Sequence, residues 1–105
     1  MNNKVLIKLI LPEINKKYDL FIPVNEYIWK INKLMVRSIN SLDGEILDVE
    51  KEYAIINKDT GKIYQNNEII VNTEIRNGTE LILITNQNKG ELEVDEVIPT
   101  EKNVN

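Results

Sequence analysis

Lys30, Lys33 and Arg37 recur at intervals of three and four, which on a helix gathers three cations on one side. Such a side is either a solvated face or a docking face for an acidic protein or an anionic surface. Trp29 and Val36, seven residues apart, fall on the flank of the same stretch. If they are only partly covered there, a large aromatic is left free to anchor a contact, the alternative being packing at the core edge. These five residues are the candidate protein-binding set. A second mixed patch, with edge packing as its plainer reading, would join Lys8, flanked by Leu6 and Ile10, to Phe21.

Three further motifs carry chemistry on paper. Asp59-Thr60-Gly61 has the tripeptide form of an aspartic protease, which would need a symmetric dimer so that two such carboxyls share one proton in an apolar setting. Asn57 and Lys58 before it and Lys62 after it describe an exposed turn instead. Asp43, Glu45, Asp48, Glu50 and Glu52 supply oxygens of the kind calcium prefers, but their spacing departs from the calcium-loop pattern, so a solvated or partner-pairing acidic loop is expected. Asn77-Gly78-Thr79 matches the glycosylation acceptor, yet it reads more simply as a turn that requires positive φ. With no His and no Cys, the commonest general base and metal ligand, the thiolate nucleophile and the disulfide are all unavailable. No metal or cofactor is expected.

The elements that must position these residues follow from periodicity. The length, 105 residues, suits one modest core. Val5, Ile7, Leu9 and Leu11 share one side of an extended segment closed by Pro12, and Tyr18, Leu20, Ile22 and Val24 repeat the period of two. The pair reads as a hairpin whose second strand ends at Pro23 or lies at an edge. Ile28, Ile31, Met35 and Ile39 then change to helical spacing, predicting a helix over 26–40 with Asn25 as N-cap and Glu26 in the first turn. Lys30, Lys33 and Arg37 should face solvent. After a loop over 41–52, a short strand at 53–56, a turn at 57–61 and a returning strand at 62–65 make a second hairpin, and 79–85 is a final, central strand.

This order describes an α+β, β-grasp domain over 1–85: a mixed sheet of four to five strands with one main helix across one face. Residues 86–105 hold five acids against two bases and read as a flexible acidic tail; the other reading docks Leu92 to Ile98 on an open surface. Charge is divided along the chain, with seven Lys/Arg against three Asp/Glu in 1–42 and six against fourteen in 43–105. That division argues for a protein partner over nucleic acid. The opening residues lack a secretory pattern and no apolar run approaches a membrane span, so a cytoplasmic protein without membrane insertion is expected, with the oligomeric state left open.

Val5-Leu6-Ile7-Lys8-Leu9-Ile10-Leu11, Tyr18-Asp19-Leu20-Phe21-Ile22-Pro23, the helix beginning near Tyr27, and Ile75-Arg76-Asn77-Gly78-Thr79-Glu80-Leu81-Ile82-Leu83 together resemble the ubiquitin-fold YukD/EsaB-like proteins associated with bacterial type VII secretion. The resemblance spans about residues 4–85. It implies a non-enzymatic accessory or regulatory component whose partner is a protein, a cytoplasmic domain of a membrane-bound secretion component being one candidate. It brings no catalytic or binding motif, so Trp29, Lys30, Lys33, Val36 and Arg37 rest on the physical argument alone. Two alternatives remain: the dimeric protease using Asp59, and a ubiquitin-like protein modifier. The modifier lacks the terminal Gly-Gly that acyl transfer uses, since the nearest glycine is Gly90 after Lys89, with fifteen residues beyond it.

Overall fold

The computed structural model describes residues 3–86. Strand β1 (Lys4–Leu11) turns back into β2 (Lys16–Pro23), helix α1 (Ile28–Asp43) follows, and β3 (Tyr53–Asn57) and β4 (Glu80–Thr85) complete the sheet, with a 3-10 turn at Ile70–Asn72 between them. The strand order is β2-β1-β4-β3. β1 pairs antiparallel with β2 and parallel with β4, and β3 pairs antiparallel with β4. This is the β-grasp arrangement: a parallel central pair needs a long crossover, and the helix supplies it.

Local chemistry explains the outline. The first hairpin turns through Asn15 at φ 55°, a left-handed conformation that Asn tolerates better than most residues. Pro23 closes β2, which is an edge strand, so its missing N–H costs the ladder nothing. β4 lies between β1 and β3, the central place expected from its apolar run. Ile28, Ile31, Met35 and Ile39 of α1 are at most 1% exposed and pack with Ile7, Leu9 and Leu11 of β1, Ile55 of β3, and Leu81 and Leu83 of β4. Removing one such side chain, as in Ile31→Ala, would cost about 2–5 kcal/mol.

The helix start differs from the expected one. Tyr27, not Asn25, is the N-cap, no side chain caps the first turn, and Glu26 lies outside it. The free amides of Ile28 and Trp29 donate instead to the carbonyls of Glu68 (2.8 Å) and Asn66 (3.3 Å). Main-chain acceptors from a distant segment thus do the work that a capping side chain does elsewhere. At the other end the helix continues to Asp43, and Gly44, at φ 76°, donates its amide to the Asn40 carbonyl, the usual glycine stop.

The expected second hairpin is also shorter. Residues 62–65 return beside β3 only through the Ile56–Ile63 bridge, after which a turn hydrogen-bonded from Glu68 N to Gln65 O carries the chain toward the helix N-terminus. Tyr64 points inward and its hydroxyl donates to Glu74, while Asn57 Nδ2 donates to the Tyr64 oxygen at 3.1 Å. Burial first, and the Glu74 bond second, push the Tyr64 hydroxyl up to about 12, and the same bond holds the Glu74 carboxyl below its ordinary range. At the sheet edge, the Tyr18 hydroxyl donates to Asp43, fastening β2 to the end of α1.

Candidate protein-interaction surface

Spacings of four, three and one place Trp29, Lys33, Val36 and Arg37 on one side of α1. These four line a groove of about 440 Å³ whose opposite wall is Val49, Lys51, Glu52 and Tyr53. Trp29 is 45% exposed, so part of the residue is covered while a broad apolar surface remains open. Lys33 and Arg37 are exposed, as expected. Lys30 is exposed as well but stands outside the groove, with its Nζ 3.7 Å from Glu26 Oε1. Val36 takes the plainer of its two readings, packing at the core edge: it is 6% exposed and belongs to the core cluster. The apolar side of the helix is wider than the four-residue stripe, because Val36 faces the segment that leads into β3, and it forms the groove floor rather than a ridge.

The wall is fastened to the helix by asparagines. Asn32 Nδ2 donates to the Tyr53 carbonyl at 2.7 Å. Asn40 grips Leu47 from both sides, donating to its carbonyl at 3.0 Å and accepting from its amide at 2.9 Å. Tyr53 donates its hydroxyl to the Asp48 carbonyl at 2.9 Å, and burial raises its pKa. Sequence reading missed Asn32, Asn40, Val49, Lys51 and Tyr53 as parts of one site. The available signal was two asparagines inside a helix, where their propensity is poor unless their amides are used elsewhere.

The electrostatics of the groove are lopsided. Lys33, Arg37 and Lys51 face one lining carboxylate, Glu52, and none of the three cations has an ion-pair partner among the described residues. An acidic ligand would find both unneutralised charge and apolar surface here.

The second patch lies on the sheet face away from the helix. Leu6 and Phe21 are opposite each other in the β1–β2 ladder and border a hollow of about 320 Å³ with Asn77 and Gly78. Phe21 is 63% exposed. Lys8 is engaged with Asp19 at 3.3 Å. The Asn77-Gly78 turn is a structural fastening: Asn77 Oδ1 accepts from Leu6 N at 2.8 Å, and Gly78, at φ 91°, donates to Leu6 O at 2.8 Å.

Asp59 sits on an exposed turn, its amide and that of Thr60 bonded to Asn57 Oδ1 at 2.9 and 3.1 Å. Among the described residues, no group of three or more His, Cys, Asp or Glu could hold a metal, and no helix is long and apolar enough to cross a membrane. Gly90 and the expected acidic tail beyond Asn86 lie outside the described residues.

The architecture is that of the ubiquitin-like β-grasp domains. No protein-family profile and no curated protein matches the sequence. Among solved structures, the chain is similar to the EccD5 ubiquitin-like domain from Mycobacterium xenopi, at 12% identity and TM-score 0.66 over 81% of this chain and 97% of that domain. It is also similar to a chain of the MycP5-free ESX-5 inner membrane complex, at 10% identity and TM-score 0.66. That match covers 94% of this chain but 28% of the other. The ubiquitin of Caldiarchaeum subterraneum matches at 14% identity and TM-score 0.56, over 80% and 95% of the two chains. At such identities the likeness is one of fold.

Proposed function

We propose that this protein is a non-enzymatic ubiquitin-like adaptor of a bacterial type VII secretion system, of the YukD/EsaB-like kind, working in the cytoplasm by protein–protein contact. The observation that carries the reading is the groove beside α1, where three unpaired cations surround an accessible indole. Burial of Trp29 would supply affinity, and Lys33, Arg37 and Lys51 would orient an acidic surface and speed its approach. The sequence resemblance and the shared fold with the EccD5 domain support a secretion-system component as the partner, and nothing in the groove calls for bond making or breaking.

The test is site-specific photocrosslinking in cells, with the reactive residue placed at Lys33 in one strain and at Phe21 in another. Adducts to a secretion-system component from position 33 and not from position 21 are expected. Reversing the groove charge with Lys33→Glu and Arg37→Glu should lower affinity for that component on the order of 100-fold. Equal adducts from both positions, or unchanged binding by the folded double variant, would refute the groove as the contact.

A further inference from the structure

The sheet face away from α1 carries a charge pattern that matches itself. Across the strands, in the order β2-β1-β4-β3, the register sets Asp19, Lys8 and Glu80 side by side. Lys58, whose amide donates to the Glu80 carbonyl at 3.0 Å, completes the row. The signs alternate along it, and the side chains are 34% to 66% exposed. Within the chain Lys8 pairs with Asp19 and Lys58 with Glu80, so the row is neutral as a whole and draws no partner of either net charge. Only a surface with the same alternation, read in reverse, opposes it charge for charge.

Apolar residues flank the row on both sides. One step along the strands, the ladders put Ile10, Ile82 and Ile56 side by side, each partly exposed, with Ile63 bridged to Ile56 and 56% exposed. On the other side Leu6 is 39% exposed. It lies next to Gly78, whose amide donates to the Leu6 carbonyl and where an added Cβ would meet nothing within 4 Å. A half-turn about an axis on this face and parallel to the strands lays a second copy down with its strand order reversed. Asp19 then meets the copy's Lys58, Lys8 the copy's Glu80, Ile10 the copy's Ile82, and Leu6 the open place at the copy's Gly78. A half-turn about the other in-plane axis, along the row, sets each charge against its own sign, so the row selects the first. Twisted sheets packed in this aligned way lie about 10 Å apart, a gap that Lys and carboxylate side chains span.

We infer that the protein forms a two-fold dimer with a second copy of itself through this sheet face. The α1 groove lies on the helix side of the sheet, so both copies keep it open and the dimer offers two grooves to a partner. Four strands and three rows cover about 20 by 20 Å, roughly 400 Å². A stable interface takes about 800 Å² from each side. The face supplies about half of that, which makes the dimer weak, with a dissociation constant on the order of 100 μM.

The test is sedimentation velocity of the full chain, in which the weight-average mass should rise from one copy toward two between about 10 μM and 1 mM. Over that range the amide NMR signals of Lys8, Ile10, Lys58 and Ile82 should shift, and those of Trp29, Lys33 and Lys51 should not. Lys8→Glu and Glu80→Lys should each weaken dimerisation at least about tenfold. An equimolar mixture of the two should dimerise again, because every charge of the row in the mixed pair meets its opposite. Lys33→Glu with Arg37→Glu should leave the mass profile unchanged. A chain that stays monomeric at about 1 mM, shifts confined to the groove, undiminished dimerisation of both row variants, or a mixture of folded variants that stays monomeric would each overturn the inference. The shifts need no variant, so they decide the matter if a substitution disturbs folding, and none of these readouts involves the groove's partner.

Discussion

Phe21 and Trp29 are both exposed aromatics, and they differ in what surrounds them. Phe21 projects from an edge strand beside a row of alternating charge, Asp19, Lys8, Glu80 and Lys58, in which Lys8 pairs with Asp19 and Lys58 with Glu80. Trp29 projects into a groove whose three cations pair with nothing among the described residues. The sheet face has answered its own electrostatics, and the groove has not. Exposure alone ranks Phe21 first, since it is the more exposed of the two, whereas unneutralised charge ranks Trp29 first. Unneutralised charge next to apolar surface is the better guide to a contact.

The largest effect that separates the two surfaces is on binding. Trp29→Ala should weaken association with the crosslinked partner about 30-fold, near 2 kcal/mol, while Phe21→Ala leaves it unchanged in the same titration. A comparable loss from both would erase the distinction. Next in size is the support of the groove wall. Asn40→Ala removes two hydrogen bonds to Leu47 and should lower stability by about 1–3 kcal/mol in urea unfolding, with partner affinity falling alongside it.

Acid and alkali probe the fold apart from either surface. The Glu74 carboxyl, held low chiefly by the Tyr64 hydroxyl, contributes stability that is present above its unfolded value of 4.5 and lost as pH falls below it. Glu74→Gln should flatten that acid limb by a fraction of about 1 kcal/mol, because the carboxylate is largely solvated. Tyr64, raised to about 12 by burial and by Glu74, favours folding below pH 10, and that contribution fades as pH climbs from 10 toward 12. Thermal melts across both ranges read these limbs. Smallest of all, a double-mutant cycle on Lys8 and Asp19 should return no more than about 0.5 kcal/mol; a coupling well above that would make the sheet face more than a neutralised surface.

How much of this was legible in the sequence follows from the range of each interaction. The stripe Ile28, Ile31, Met35 and Ile39, the edge role of Pro23 and the turn at Asn77-Gly78 were readable because period and backbone restriction are local. The N-cap was not: Asn25 carries the right side chain, but the acceptors that matter belong to Asn66 and Glu68, forty residues away. Which of its two readings Val36 takes was hidden for a related reason. Helical spacing sets it on a flank, and only the return of the segment before β3 decides that the flank is buried. Of the candidate site, the helix half, Trp29, Lys33 and Arg37, was visible. The wall from Val49 to Glu52 lay hidden in a stretch that reads as an acidic loop, and Tyr53 in the strand that follows it.

The borrowed cap on α1 has a kinetic consequence. A helix whose first turn depends on carbonyls from the 66–68 segment cannot settle its start until that later part of the chain has arrived, so its N-terminal turn should be among the last pieces to lock. The molecule's single tryptophan is the second residue of that turn. Stopped-flow fluorescence should therefore time the arrival of the 66–68 segment, while circular dichroism, which follows the bulk of the helix, should run ahead of it.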